Sequence, residues 1–472
     1  MSMMFRKLIP SMRQLVCLSH MVMLLSFSLM LWCFSHERPL EFWSQYFQRD
    51  SGPHRIPKQL LESTLEQKEN SIFTVVNGTK TLLVAAYREH RTGIHEVRVI
   101  AVVLLSEIVD YRCVLRCENR LSSCKGYRNV HSDNFGFPYG TADIMCLLPS
   151  DCEWPSHVAL TAGDHFSEEI LDTFLEVKNQ KDQYDSFPLN FTVCFSTMYD
   201  YSNVLQLVQS LEMLQLLGVG RVVVYLTSCS PETQRVLDYY TQKGLVEVIP
   251  WSMSRYLNVS RGWLPYHGPG DLHYFGQIPA LNDCMYRYMY RSRYLAQHDI
   301  DELILPQAVN TWTELMPLLE QKYGAEQCFL FENNVFPSTV SQPPPDSQTV
   351  PLQDCCPGWS NVTGVNILDH LYQEPIRETI YQNFKIIVNP RVVFTASVHG
   401  LLSTQTSFSW VDRNIARMYH TRPAIQTWLK PDQLIYDSRL LNFRSSLIPQ
   451  VNDALAGSGL LSRAHTEHGS KL

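Results

Sequence analysis

Residues 191–226 read FTVCFSTMYDYSNVLQLVQSLEMLQLLGVGRVVVYL, and this stretch decides the fold class. Phe191 to Thr197 is a short apolar run of strand length. From Ser202 to Leu217 the apolar residues Val204, Leu207, Val208, Leu211 and Leu214 recur at helical spacing, and Gly218 and Gly220 end that helix. Arg221 to Leu226 is a second strand. Working outward, Pro231 to Lys243 is expected as a helix, with Pro near its start and Gly244 at its stop. Leu245 to Ile249 is a third strand. Strand, helix, strand, helix, strand predicts a parallel α/β sheet. Ligands in such sheets sit beyond the carboxyl ends of the strands. That rule places Thr197, Met198, Tyr199 and Asp200 at a nucleotide pocket; an ordinary loop after a strand is the rival reading.

Further along, Gln277 to Arg291 reads as a helix, with Asp283 and Arg287 one turn apart on a polar face. The run His298-Asp299-Ile300-Asp301-Glu302 follows, then the apolar Leu303-Ile304-Leu305-Pro306. In an extended segment Asp299 and Asp301 point to one face. Two like charges side by side are costly without a cation near them. Carboxylate oxygens suit Mn²⁺ or Mg²⁺. Such an ion can carry the charge of a departing nucleoside diphosphate. The bland alternative is two solvated carboxylates at a strand end, which describes most Asp-x-Asp pairs. Glu302 is expected on the opposite face, as a structural ion-pair partner.

The ends of the chain set the compartment. Gln14 to Ser35 is apolar apart from scattered Ser, Gln and His20, and is preceded by Arg6, Lys7 and Arg13. About 20 such residues span a bilayer core. The positive flank keeps the N-terminus cytoplasmic. Residues 1–13 are then a tail, 14–35 a transmembrane signal anchor, and 36–70 a stem. A cleaved signal peptide is the competitor, but Trp32-Cys33-Phe34 offers no small-residue cleavage site. The closing Ser470-Lys471-Leu472 reads as a peroxisomal address; an anchor engages during synthesis, before that tripeptide exists. Of 13 cysteines, 11 follow the anchor. An oxidising lumen pairs several of them, and the odd count leaves a thiol free or bridging a homodimer. Zinc at Cys113, Cys117 and Cys124 is the rival. Asn77, Asn258 and Asn361 start glycosylation sequons; Asn190 starts another but is expected to be poorly accessible. The net charge of −7 gives no footprint for nucleic acid. Residues 71–185 read as a β-rich, cysteine-containing subdomain, 186–450 as the catalytic domain and 451–472 as a tail.

Several pieces together resemble glycosyltransferase family 92. They are Phe195-Ser196-Thr197-Met198-Tyr199, Gly276-Gln277, Asn282-Asp283-Cys284, Asp299-Ile300-Asp301-Glu302 ending in Pro306, Lys385 to Pro390, Val398-His399 and Tyr419-His420. The resemblance covers roughly residues 190 to 425. It implies a GT-A fold, a UDP-sugar donor, Mn²⁺ dependence and an inverting transfer, with galactose passed in β-1,4 linkage to a glycan. The loop at 337 to 363 and the stretch Tyr419-His420-Thr421-Arg422 depart from the family pattern.

The expected architecture is therefore α/β, a GT-A-like nucleotide-sugar-binding fold with a β-rich N-terminal subdomain behind a transmembrane helix. The expected setting is the Golgi membrane, with the catalytic domain in the lumen. Asp299 and Asp301 are expected to hold metal and diphosphate, with His399 or His420 as a third ligand. Thr197, Tyr199, Gln277, Asp283 and Lys385 are candidates for substrate contact. Glu332, at the end of a strand, is the candidate base for the acceptor proton. Two other classes stay open: a non-catalytic lumenal glycan-binding or scaffold protein, and a metal-dependent hydrolase of nucleotides.

Overall fold

The computed structural model describes residues 73–118, 120–163, 168–182, 186–341, 358–377 and 383–461. The anchor, the stem, most of the loop after 341 with Cys355 and Cys356, and residues 462–472 of the C-terminal tail lie outside these residues. No described helix is long and apolar enough to cross a membrane.

The first part of the chain forms eight strands: β1 (Thr74–Val75), β2 (Leu82–Glu89), β3 (Glu96–Leu104), β4 (Tyr111–Cys117), β5 (Arg120–Val130), β6 (Tyr139–Leu147), β7 (His157–Ala162) and β8 (Leu175–Lys178). They run in the order β1-β2-β3-β6-β5-β4-β7-β8, and β2 also pairs with β8. That last pairing closes strands β2 to β8 into a barrel, which leaves no long open edge. Disulfides join Cys113 to Cys146 and Cys117 to Cys152. These bonds remove the zinc alternative. Cys124, Cys229 and Cys328 are free.

The second part holds the expected parallel half. Strand β9 (Leu189–Met198) leads to helix α1 (Val204–Leu216), strand β10 (Arg221–Leu226), helix α2 (Pro231–Gln242) and strand β11 (Val246–Pro250). Pro231 occupies the first turn of α2, and Ser230 accepts the backbone N–H of Thr233 at 3.2 Å as its N-cap. Helix α3 (Gln277–Tyr288) and strand β12 (Ser292–Gln297) follow, and β12 pairs parallel with β9. Next come β13 (Glu302–Pro306), helix α4 (Trp312–Tyr323), β14 (Cys328–Pro337), β15 (Tyr372–Gln373), β16 (Phe384–Val388), β17 (Val393–Ser397), β18 (Gly400–Thr404), β19 (Phe408–Trp410), β20 (Ala416–Arg422), β21 (Ile435–Tyr436) and helix α5 (Arg444–Gly457). The main sheet runs β11-β10-β9-β12-β16-β14-β20-β13. It is parallel from β11 to β12 and turns antiparallel at β16. The fold is thus mixed α/β, with the change of strand sense beside β12.

Helix α1 is buried nearly all round, its polar Gln206, Gln209, Ser210 and Glu212 as well as Val204, Leu207, Leu211 and Leu214, because α5 covers a side that the sheet does not. The domain boundary expected at residue 450 falls inside α5.

The triplet Asn282-Asp283-Cys284 on α3 joins the barrel to the sheet. Cys284 is disulfide-bonded to Cys194 of β9. Asn282 donates to Ala396 O at 2.8 Å and accepts from Ala396 N at 3.0 Å, which grips β17. Asp283 is 1% exposed and accepts from Tyr87 of the barrel and Tyr225 of β10, both at 2.6 Å, and from Arg287 at 2.9 Å. Asp283 is therefore a buried joint and does not face the cleft, contrary to the substrate role expected for it. Its burial alone would raise its pKa, but Arg287 and then Lys178 hold it below the ordinary value. A group depressed in this way adds stability above its unfolded value of about 3.9, and that stability is lost as pH falls through the lower folded value. The melting temperature is expected to fall steeply below about pH 4. Asp283→Ala is expected to cost about 3–5 kcal/mol in urea unfolding at neutral pH, because it leaves Arg287, 20% exposed, without its carboxylate and the buried Tyr87 and Tyr225 hydroxyls without their acceptor. It is also expected to flatten the acid limb of that profile.

Candidate functional site

At the carboxyl end of β9 a cleft of about 570 Å³ opens between the loop after β9, the turn after β12 and the start of α3. Ser196, Thr197, Tyr199, Gln277, Asp299, Asp301, Glu302, His399 and His420 all line it. The sheet thus gathers residues that lie more than 200 positions apart in the sequence.

Asp299 and Asp301 are not on a strand. Residues 298–301 form a turn between β12 and β13. Glu302 N–H donates to Asp299 O at 3.2 Å, and the Glu302 carboxylate accepts Asp299 N–H at 2.6 Å. Glu302 thereby fixes the turn from beneath while it is 1% exposed. The extended-strand expectation fails because the chain must cross here from β12 in the middle of the sheet to β13 at its edge.

Lys385 holds together the buried carboxylate of Glu302 and that of Asp299, which is 34% exposed toward the cleft. It donates to Asp299 at 2.9 Å and stands 3.3 Å from Glu302. Asp299 also accepts from Ser196 Oγ at 2.7 Å. Burial would raise the Asp299 pKa, but Lys385 overrides it and holds the carboxyl well below the usual range. Burial likewise works against the charged lysine, and Asp299 with Glu302 reverses this and raises its pKa. Lys385 is expected as a substrate contact; its side chain is instead 3% exposed and satisfied within the protein.

Asp301 is more open, with 37% of its side chain exposed. Its only hydrogen-bond partner among the described side chains is His420 Nε2, at 3.2 Å. His420 also stands 3.5 Å from Glu302 through Nδ1. Burial lowers its pKa, but Glu302 and then Asp301 outweigh this and raise it, which favours its charged form beside the two acids. His399 differs. Burial, then Lys385, lowers its pKa to about 4, so it is neutral. Neither of its ring nitrogens makes a well-formed hydrogen bond, and Trp263 lies flat over the ring at 4.9 Å.

These groups fit a divalent cation in kind: a carboxylate with one unshared oxygen on Asp301, a second carboxylate on Asp299 whose oxygens meet Ser196 and Lys385 but each keep a lone pair, and a neutral imidazole with spare lone-pair capacity on His399. Among the described residues, no three His, Cys, Asp or Glu side chains are preset close enough to hold an ion.

The cleft has further features that carry no signal in the sequence. Tyr274 and Phe275 both sit in the left-handed region, at φ 35° and 55°, ahead of Gly276 at φ 75°. Such strain costs on the order of 1–3 kcal/mol per residue and persists where surroundings enforce it. Here Phe275 stacks on Tyr199 at 4.0 Å, and the Tyr199 hydroxyl donates to Tyr274 at 2.9 Å. Gln277 follows at the start of α3, and its side-chain oxygen has no partner. Asp200, at φ 45°, pairs with Arg261 at the rim. The barrel supports the His399 hairpin from behind: Asp133 bonds Ser397, and Phe135 stacks on His273 at 4.2 Å, beside Trp263. Glu332, the expected base, is not at the cleft. It lies on β14 facing Arg413 at 3.5 Å, and the carboxylates lining the cleft are Asp200, Asp299, Asp301 and Glu302.

The model of the family described as glycosyltransferase family 92 matches residues 190–456, more than half of the chain. The chain belongs to glycosyltransferase family 92. A Caenorhabditis elegans protein named for the same family is 24% identical over 146 residues, which is 31% of this chain and 28% of that protein. The match thus spans under a third of that relative. Among solved structures, glucosyl-3-phosphoglycerate synthase of Mycobacterium tuberculosis, in complex with Mn²⁺, UDP and glucosyl-3-phosphoglycerate, covers 58% of this chain and 82% of its own at 10% identity and a TM-score of 0.22. A mycobacterial protein covers 58% and 76% at 12% identity and a TM-score of 0.24. Overlaps this low carry no argument here. The family 92 match covers every cleft residue named above, and the barrel lies outside it.

Proposed function

We propose that this family 92 glycosyltransferase is a metal-dependent, inverting enzyme of GT-A type. In this reading it transfers galactose from UDP-galactose to a glycan in β-1,4 linkage, in the Golgi lumen. The observation that carries the metal and donor reading is the placement of Asp299 and Asp301 in a cleft at the carboxyl ends of parallel strands, where α/β sheets bind nucleotides. Asp301, Asp299 and His399 are the residues that would hold the cation. Bound there, Mn²⁺ or Mg²⁺ would neutralise the developing charge of the diphosphate leaving group. The protein's own share is positional. Lys385 and Glu302 fix the turn that carries the two aspartates, which keeps both carboxylates at the cleft. Gln277 offers an unshared amide oxygen to the donor, and Tyr199, Tyr274 and Trp263 wall the cleft with aromatic faces.

Three disulfides support the lumenal setting. The sequon residues Asn77, Asn258 and Asn361 are all exposed, and so is Asn190 at the start of β9, against the poor accessibility expected for it. The galactose donor and the linkage rest on family resemblance alone. A screen of UDP-galactose, UDP-glucose, UDP-N-acetylglucosamine and GDP-fucose, with and without Mn²⁺, tests the reading. UDP release from UDP-galactose that needs Mn²⁺ and is accelerated by a glycan acceptor is the expected result. Release from another donor would correct the sugar. No turnover of any donor by folded protein would favour the scaffold class.

A further inference from the structure

A second cavity, of about 280 Å³, lies beside the cleft and shares Asn383 with it. Asn383 immediately precedes β16, whose Lys385 meets Asp299. Anything held with one end in the cleft can therefore reach this cavity without leaving the surface.

Its lining is rich in carboxamides: Asn333, Asn334, Asn383 and Gln426. Each carboxamide carries donors and an acceptor, which matches the hydroxyls of a sugar ring. Not all have capacity to spare. Asn334 donates to Glu332 O at 3.0 Å and accepts from Arg413 at 3.4 Å. Gln426 spends its amide hydrogens on Pro375 O, at 2.8 Å. Asn333 is the telling one. It is 7% exposed, and its side-chain oxygen has no partner. A buried polar atom left unpaired costs about 1–3 kcal/mol, so an arriving hydroxyl would recover that cost.

The walls are built and not merely open. Glu374 accepts the backbone N–H groups of Ile425 and Gln426, at 2.8 and 2.9 Å, which holds that loop over the cavity. Arg377 of the lining lies 4.3 Å over the ring of Trp428, which stands outside the cavity and backs that guanidinium, and Trp428 and Ile425 are 59% and 50% exposed. Exposed aromatic and aliphatic faces beside carboxamides suit the mixed polar and C–H surfaces of a sugar. The charges of Glu374 and Arg377 cancel, which favours a neutral ligand over an anionic one.

We propose that this cavity is an acceptor subsite that takes one neutral sugar ring of the glycan, next to the ring that receives the transferred sugar in the main cleft. The assignment rests on the transferase reading above. The test uses the lumenal chain with neutral methyl monosaccharides, the matching methyl disaccharides and sulfated versions of both. The reference is donor hydrolysis without acceptor. Wild-type protein is expected to use a neutral disaccharide with kcat/KM about tenfold above its monosaccharide, one ring contact being worth about a decade. Trp428→Ala, Gln426→Ala and Asn333→Ala are each expected to erase that advantage through KM while monosaccharide transfer persists. The two surface variants keep the test valid if Asn333→Ala does not fold. The subsite is wrong if wild type shows no disaccharide advantage, if the advantage survives all three substitutions, if mono- and disaccharide transfer fall together, or if sulfated glycans are preferred. Absence of any donor turnover by wild type would instead contradict the transferase reading itself.

Discussion

Asp301→Asn is expected to lower donor turnover about 100- to 1000-fold, the range seen when one preorganised electrostatic group is removed from an active site, while leaving the protein folded. The two halves of that expectation have separate causes. Asp301 is the most open acid of the hub and spends one oxygen on His420. His420 keeps Glu302 as a second partner, so no buried cation is stranded. Loss of a half-exposed pair costs about 0–1 kcal/mol. The carboxylate that faces the cleft is lost outright, and the amide that replaces it carries no charge for a cation. UDP release and thermal melting on the same preparation check both halves. An Asp301→Asn enzyme with near-normal turnover would remove this residue from the site.

Lys385→Met is expected to cost about 3–5 kcal/mol in stability, because it leaves the buried Glu302 and the neighbouring Asp299 without their cation. Lys385 and Glu302 have side chains 3% and 2% exposed, and Asp299 joins them from the cleft side. Without the ammonium, Glu302 is driven further toward its protonated form, since burial already raises its pKa. Adding Glu302→Gln to Lys385→Met is therefore expected to recover a large part of the loss in urea unfolding, though not the activity. A single variant that unfolds like wild type would mean that Lys385 is not the cation that holds the turn.

The parallel half of the sheet is legible in the chain because apolar periodicity switches cleanly between strand and helix spacing from Phe191 to Ile249. Helix α4 was open to the same reading: Thr311 and Glu314 form a reciprocal capping box just before Trp312. Closure of the barrel was not legible, since it rests on the pairing of Ala86 with Val177 across 91 positions. The triplet Asn282-Asp283-Cys284 stands out in the sequence as a motif, but only the fold shows that it ties helix α3 to four strands. Asp299 and Asp301 announce themselves, whereas the turn they occupy depends on Glu302 reaching back beneath them. Tyr274 and Phe275 are residues for which left-handed backbone is unexpected, and nothing local warns of it. Trp263 sits in a loop whose composition says nothing about His399. Glu332 fails as a base for a plain geometric reason: β14 turns it toward Arg413 and away from the cleft.

The central claim is that the Asp299–Asp301 turn presents a nucleoside diphosphate site that works through a divalent cation. Calorimetric titration of UDP into the wild-type protein, once with Mn²⁺ and once with a chelator, tests it most directly. The account predicts binding in Mn²⁺ that weakens by at least about tenfold, or 1.4 kcal/mol, when the metal is removed. Equal affinity for UDP in both conditions would contradict it.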